Sequence, residues 1–168
     1  MAAKTGTYTL IASNTPGSAT ASVTFSSIPA TYTDLVIVTQ AISATADDVG
    51  IRFNSDSGTN YSQTWLSGNG TSAFSSRYSS STSVYLDIYG SMGTSLFNNT
   101  NVQIMDYANI TTYKTFLSRS NRAGSGVDAI VGLWRSTAAI STIVLAPTAG
   151  VNFSTGSTFK LYGIEAAK

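Results

Sequence analysis

The ionisable side chains of this 168-residue sequence set narrow limits on its chemistry. It contains no histidine, which removes the commonest general base, the usual metal ligand and any serine–histidine nucleophile. It contains no cysteine either, so it offers no thiolate metal site and no disulfide. The acids that remain are eight carboxylates: Asp34, Asp47, Asp48, Asp56, Asp87, Asp106, Asp128 and Glu165.

A glycosidase would need two of these carboxylates roughly 5–10 Å apart, one of them with a raised pKa. Their spacing along the chain selects no such pair. We therefore interpret the carboxylates as turn residues and solvated ends of strands. The sequence predicts a protein that is not an enzyme and has no catalytic residues.

One segment, residues 54–60, places oxygen-bearing side chains at alternate positions, as a calcium loop does. Its twelfth position is Trp65 where an EF-hand has a bidentate glutamate, and its glycine stands one place early. Asp56 is its only carboxylate, although Asp47 and Asp48 could contribute. An Asx-rich turn is the favoured interpretation, so we expect no metal and no cofactor.

Basic residues concentrate in one part of the chain, at Lys114, Arg119 and Arg122, with Arg135 possible as a neighbour. Residues 119–126 read as a basic, glycine-containing loop. The cluster is either a docking patch for an acidic protein surface or a solvated loop that keeps the protein soluble. The sequence leaves both interpretations open.

The longest stretch without a strand pattern is residues 67–83, composed mainly of Ser, Gly, Asn and Thr. It carries Phe74, Arg77 and Tyr78, and long loops in small domains often mediate contacts. We expect these residues, together with Lys114, Arg119 and Arg122, to bind a partner. Phe74, Tyr78 and Phe97 could also stack on a sugar, although such aromatics more often belong to a core or an interface.

The composition excludes two classes of partner. Charged residues make up 10% of the chain, against roughly 25% in typical soluble proteins, and the formal net charge is +1. This charge provides no long-range field for nucleic acid or for an anionic membrane. No apolar run reaches the length of a signal peptide or of a membrane helix, so we expect synthesis inside a cell. The length predicts one domain over residues 1–168, with residues 1–6 as a possible N-terminal arm.

Short runs of alternating apolar and polar residues, separated by turn signals, predict about ten strands and almost no helix. In the last run, Phe159 and Leu161 share one face and Lys160 and Tyr162 the other, which predicts a half-buried strand inside a sheet. The predicted fold is all-β, an antiparallel β-sandwich of jelly-roll type. The predicted strands are residues 7–13, 19–28, 34–42, 49–54, 83–89, 101–107, 113–118, 127–135, 140–145 and 157–164.

Motifs in a common order along nearly the whole chain resemble a family of small bacteriophage virion proteins, many from marine and freshwater phages. They are Tyr8-Thr-Leu-Ile-Ala-Ser, Phe25-Ser-Ser-Ile-Pro-Ala-Thr-Tyr-Thr-Asp-Leu35, Ile51-Arg-Phe-Asn54, Asn60-Tyr-Ser62, Leu66-Ser-Gly-Asn-Gly70, Asp106-Tyr, Tyr113-Lys-Thr115, Gly132-Leu-Trp134, Ser136-Thr-Ala-Ala-Ile140 and Leu161-Tyr-Gly-Ile164. The resemblance implies a structural role in the particle and supplies no active-site residues.

Two functions follow as expectations. The first is a capsid decoration, or cement, protein, a β domain that binds the assembled lattice of the major capsid protein and stabilises it by mass action. If the symmetry of the protein matches that of its binding site on the capsid, the protein is a homotrimer. The alternative is a jelly-roll module on the tail that recognises host polysaccharide. A third reading, a tail glycanase, would need a carboxylate pair that the sequence does not display.

Overall fold

A computed structural model describes residues 7–165 of the chain, and within that range the regular structure consists of twelve β-strands and no helix. The strands are β1 (Tyr8–Asn14), β2 (Val23–Phe25), β3 (Asp34–Ala41), β4 (Val49–Phe53), β5 (Tyr61–Gly68), β6 (Ala73–Ser81), β7 (Val84–Tyr85), β8 (Asn98–Ile104), β9 (Lys114–Arg122), β10 (Gly126–Trp134), β11 (Ile143–Pro147) and β12 (Thr158–Ile164). With no helix over this range, none is available there to cross a membrane.

The strands form two antiparallel sheets that pack as a β-sandwich. The large sheet has eight strands in the order β1-β12-β3-β8-β9-β10-β5-β6, and the small sheet has four in the order β2-β11-β4-β7. The chain passes from one sheet to the other at every connection except β5–β6, β8–β9 and β9–β10. Without β5, β6, β9 and β10, eight strands remain, four in each sheet. Their orders, β1-β12-β3-β8 and β2-β11-β4-β7, are those of a jelly roll.

Two additional hairpins widen the large sheet beyond the jelly roll. The β5–β6 hairpin is inserted between β4 and β7, and the β9–β10 hairpin between β8 and β11. They join side by side, because β10 pairs with β5 over eight residues. The large sheet is therefore twice as wide as the small one, and its four added strands lie on one side of the jelly roll.

Aromatic side chains fill the space where the inserted hairpins meet the small sheet. Phe53 of β4 packs edge-on against Phe116 of β9, with ring centroids 5.4 Å apart. The rings of Tyr61 and Trp134, from the paired strands β5 and β10, are stacked at 6.3 Å. All four side chains are buried, so the core is continuous across both sheets.

The sequence pattern correctly predicted the fold class and the closing strand. β12 lies between β1 and β3, with Phe159 and Leu161 fully buried and Lys160 on the outer face. The predicted β10 is confirmed with a shift of one residue. The possible N-terminal arm, residues 1–6, lies outside the described residues.

Two segments that were predicted to be loops are strands. Residues 67–83 contain the end of β5, a tight turn and the nine residues of β6. β6 is an edge strand with almost every side chain exposed, so burial imposes no alternating pattern on its sequence. Residues 119–122 continue β9, and only residues 123–125 form the turn into β10.

Candidate functional site

Three of the carboxylates are buried, contrary to the prediction that they would be solvated. Asp47, Asp87 and Asp128 all lie in the interior. Asp128 lies in the middle of the sandwich because it shares the inner face of β10 with Ile130 and Trp134. The alternation along β10 was the available signal, since a residue two positions from a buried Ile must face the same side.

The Asp128 carboxylate accepts hydrogen bonds from five donors. Three are the successive backbone N–H groups of residues 88–90, at 2.8–3.2 Å. The other two are hydroxyls of its cross-strand neighbours, Ser67 and Ser120, the latter at 3.1 Å. Asp128 thus fixes the segment that leaves the small sheet after β7 onto the large sheet. With its oxygens occupied and its side chain buried, it has a structural role.

Asp87 and Asp48 lie close enough to Asp47 and Asp128 for the negative charges of these carboxylates to repel one another. Burial, assisted by the charges of Asp48 and Asp128, raises the pKa of Asp87 well above its usual range. One oxygen of Asp87 accepts from the Val49 N–H at 2.7 Å, and the other has no partner among the described residues. Burial and the Asp47 charge raise the pKa of Asp48 to about 7. The folded protein therefore favours the neutral, protonated forms of Asp87 and Asp48 up to a higher pH than it would for an ordinary aspartate.

The raised pKa values of Asp48 and Asp87 predict that the free energy of unfolding falls as the pH rises. Asp48 ionises near its ordinary pKa of 3.8 in the unfolded chain but near 7 in the folded protein. Its unfavourable contribution therefore develops between about pH 4 and 7 and is complete above pH 7. Asp48→Asn should unfold at a higher denaturant concentration than the parent protein at pH 8, and the two midpoints should converge at pH 4. Equal midpoints at pH 8 would contradict the assignment.

The suspected calcium loop is an Asx turn in this structure. The Asp56 carboxylate accepts hydrogen bonds from the indole N–H of Trp134 at 2.7 Å, the Asn60 amide at 2.9 Å and the Gly58 N–H at 2.8 Å. These donors, with Trp134 the strongest, hold the pKa of Asp56 below its usual range. Over residues 7–165 no three acidic side chains are grouped so that they could hold a metal ion.

The basic residues do not form one cluster. Lys114 is 1% exposed, and its ammonium donates to the carbonyl oxygens of Thr112 and Thr137, so the expectation of a surface partner-binding lysine was wrong. Burial lowers the pKa of Lys114. Lys114 faces inward because it has the same parity on β9 as the buried Phe116.

The three arginines considered with Lys114 lie in different surroundings. Arg119 is exposed on the outer face of β9. Arg122 is partly buried at the end of the strand, where its guanidinium lies beside Gly93. Arg135 donates to the carbonyls of Thr59 and Tyr61 and so fastens the chain after β10 to the start of β5. Arg119 is thus the one of the three that is free to project from the sheet.

Two of the three aromatic residues proposed for sugar stacking, Phe74 and Tyr78, lie on β6, and each packs against another ring of the protein. Phe74 lies parallel to Tyr89, with ring centroids 4.6 Å apart. Tyr78 packs against Trp65 at 4.7 Å but keeps 47% of its surface exposed. Phe97 lies apart from them in sequence, between β7 and β8, and its ring approaches Gly156. Arg77 projects from the opposite face of β6.

The largest feature that sequence reasoning missed is an apolar surface on the outer face of the inserted hairpins. Four large side chains there are 48–59% exposed, and Ala129 lies between them. The strand register makes them neighbours, since Val131 is opposite Leu117 and Ala129 is opposite Leu66. We call this set, formed by Leu66, Leu117, Val127, Ala129 and Val131, the apolar face. Only the inner side of β10 is covered, which leaves its outward-facing aliphatic side chains exposed.

The charges around the apolar face have one sign. Arg119 is directly opposite Ala129, and Arg77 is opposite Thr64, the partner of Val131. The outward-facing positions of the four hairpin strands include no carboxylate. The surface therefore combines exposed aliphatic side chains with uncompensated guanidinium groups.

No protein-family model matches this chain, and a search of the curated proteins found no match either.

Proposed function

We propose that this chain is a structural component of a bacteriophage particle, made in the host cytoplasm, that decorates the capsid by binding the assembled major capsid protein. The single observation that supports this proposal most is the apolar face on the inserted hairpins. Monomeric proteins seldom expose contiguous aliphatic side chains of this kind without a binding role. The phage setting rests on the motif resemblance, which covers nearly the whole chain.

The charges favour a different protein as the occupant rather than a second copy of the same face. If two copies docked face to face, Arg77 and Arg119 would meet guanidinium groups and no carboxylate on the hairpin strands of the other copy, and like charges across an interface are unfavourable. A capsid surface with aliphatic residues and flanking carboxylates is complementary to this face. A homotrimer would then form through other surfaces, with three apolar faces directed at the shell, and this remains a prediction.

A protein in this role needs no catalytic group, and we propose that the chain is not an enzyme. The buried acids, Asp47, Asp87 and Asp128, accept hydrogen bonds that join strands and loops of the fold. Binding to the assembled lattice but not to free subunits would stabilise the shell by mass action.

Placing a charge in the apolar face tests the docking. Leu117→Asp should weaken rebinding to decoration-depleted particles at least tenfold, because burying an unpaired carboxylate at the centre of an interface is costly. The matched control is Leu10→Asp. Leu10 is 54% exposed on the outer face of β1, at the opposite edge of the same sheet. Equal rebinding by the two variants, both folded by circular dichroism, would contradict docking through this face.

Recognition of host polysaccharide from the tail remains the alternative, favoured by the exposed part of Tyr78 beside Trp65. A glycan array with reproducible binding that is lost in Tyr78→Ala would support it.

A further inference from the structure

A second region of the outer face, over the jelly-roll part of the large sheet, differs in character from the apolar face. It is a shallow trough of about 400 Å³ across β12, β3, β8 and β9. The register defines its floor as two rows of residues. One row is Lys160, Val38, Asn101 and Arg119, and the other is Thr158, Gln40, Asn99 and Asn121.

Among residues 7–165, the lining of the trough carries two cations and no anion. Lys160 and Arg119 are exposed at the two ends of one row, and none of the residues that line the trough is acidic. They are separated by three strand spacings, which is roughly 14 Å between their Cα atoms. An elongated ligand with negative groups at intervals fits this arrangement better than a compact one.

Between the cations the floor consists of amide side chains. Gln40 donates to the Asn99 side-chain oxygen at 3.0 Å, which uses one donor of Gln40 and leaves the Asn99 NH₂ and the Gln40 oxygen available to a ligand. Asn101 and Asn121 add two further amides to the floor. Each amide offers both a donor and an acceptor, which matches the hydroxyl groups of a sugar.

We propose that this trough binds a carboxylated oligosaccharide, a short stretch of a uronic acid polymer. Its carboxylates pair with Arg119, whose guanidinium suits bidentate recognition, and with Lys160. Its hydroxyls hydrogen-bond to the amides of the floor. No aromatic ring lines the trough, which disfavours the base stacking of single-stranded nucleic acid. Val38 is the only aliphatic residue that the described part of the chain contributes to its lining, which disfavours the apolar anchors of a bound peptide.

Arg119 belongs to both surfaces, since it lies opposite Ala129 of the apolar face and at one end of the trough. Adjacent strands are rotated by about 20–25°, so the trough and the apolar face, centred about three strands apart, face different directions. A bound glycan and a docked capsid would therefore contact different parts of the sheet, with Arg119 at the boundary between them. Glycan binding by the purified chain alone does not depend on whether docking to a capsid occurs.

The probe is a uronic acid tetrasaccharide, titrated into the protein and followed by calorimetry and amide chemical shifts. Its carboxyl-reduced counterpart, with the same sugars and no charge, is the ligand control. We expect saturable binding of the acidic tetrasaccharide at low millimolar concentration or below, weakening as salt is added, with shifts confined to β12, β3, β8 and β9. Equal binding of the carboxyl-reduced sugar, or no saturable binding of the acidic one, would overturn the proposal.

Variants locate the site. Arg119→Gln should weaken binding about tenfold, since it removes a charge-assisted bidentate contact. Asn101→Asp should have a similar effect, because it places a like charge on the floor. The matched control is Arg77→Gln, an exposed arginine of the same sheet outside the trough, which should change affinity less than twofold. Unchanged binding in Arg119→Gln, or equal competition by polyglutamate, would contradict a glycan site here.

Discussion

Asp128→Ala is expected to lower the free energy of unfolding by about 4 kcal/mol, a large part of the roughly 5–15 kcal/mol available to a domain. The substitution leaves three backbone N–H groups, those of residues 88–90, without their acceptor. It also removes the partner of the Ser67 and Ser120 hydroxyls. Buried donors without acceptors keep their full desolvation cost, which is why the effect exceeds that of an ordinary buried hydrogen bond. Urea unfolding at pH 7 measures it.

Asp87→Asn is the matched control, because it changes a neighbouring carboxyl that is equally buried. The pKa of Asp87 is raised well above its usual range, and its second oxygen has no partner among residues 7–165. A neutral amide of the same shape should therefore leave stability within about 1 kcal/mol of the parent at pH 8. Similar losses from Asp128→Ala and Asp87→Asn would show that the two carboxyls have the same role, against this account.

Gly132→Ala is expected to destabilise the protein by about 3 kcal/mol through overpacking. An ideal Cβ at this position would overlap with the ring carbon Cζ of Phe116. That ring is fully buried and packs against Phe53 at 5.4 Å, so it has little room to move. Gly17→Ala is the control, since no atom lies within 4 Å of the added Cβ, and it should change stability by less than about 0.5 kcal/mol.

A second substitution separates overpacking from the loss of glycine's flexibility. Phe116→Leu removes the part of the ring that would overlap with the alanine Cβ. In the double variant with Gly132→Ala, part of the loss should be recovered, with a favourable coupling of about 1 kcal/mol or more in a double-mutant cycle. Additive losses would mean that the contact between Gly132 and Phe116 does not limit the packing.

The parts of the fold that the sequence predicted are those in which one strand face is buried and the other is solvated. β12 is the clearest example, because Phe159 and Leu161 must face the core while Lys160 cannot. The sequence did not predict β6, because neither face of this strand is buried. Its backbone pairs only with β5, its side chains are almost all exposed, and a Ser-rich composition therefore satisfies it as well as any other.

The candidate sites were harder to predict because they depend on register between distant strands. Lys114 and Arg119 are five residues apart on β9, and that odd separation places one in the interior and the other on the surface. The trough joins Lys160 to Arg119 through β3 and β8, and no local pattern in the sequence reports that order. The apolar face likewise exists only because the two inserted hairpins pair with each other.

The copy number of this chain in purified particles tests the central claim most directly. Particles carrying it are purified, digested, and quantified by mass spectrometry against the major capsid protein. The proposed role predicts a copy number comparable to that of the capsid subunit, because a decoration protein occupies equivalent binding sites over the whole shell. A handful of copies per particle would contradict it and would place the chain on the tail, and none would remove it from the virion.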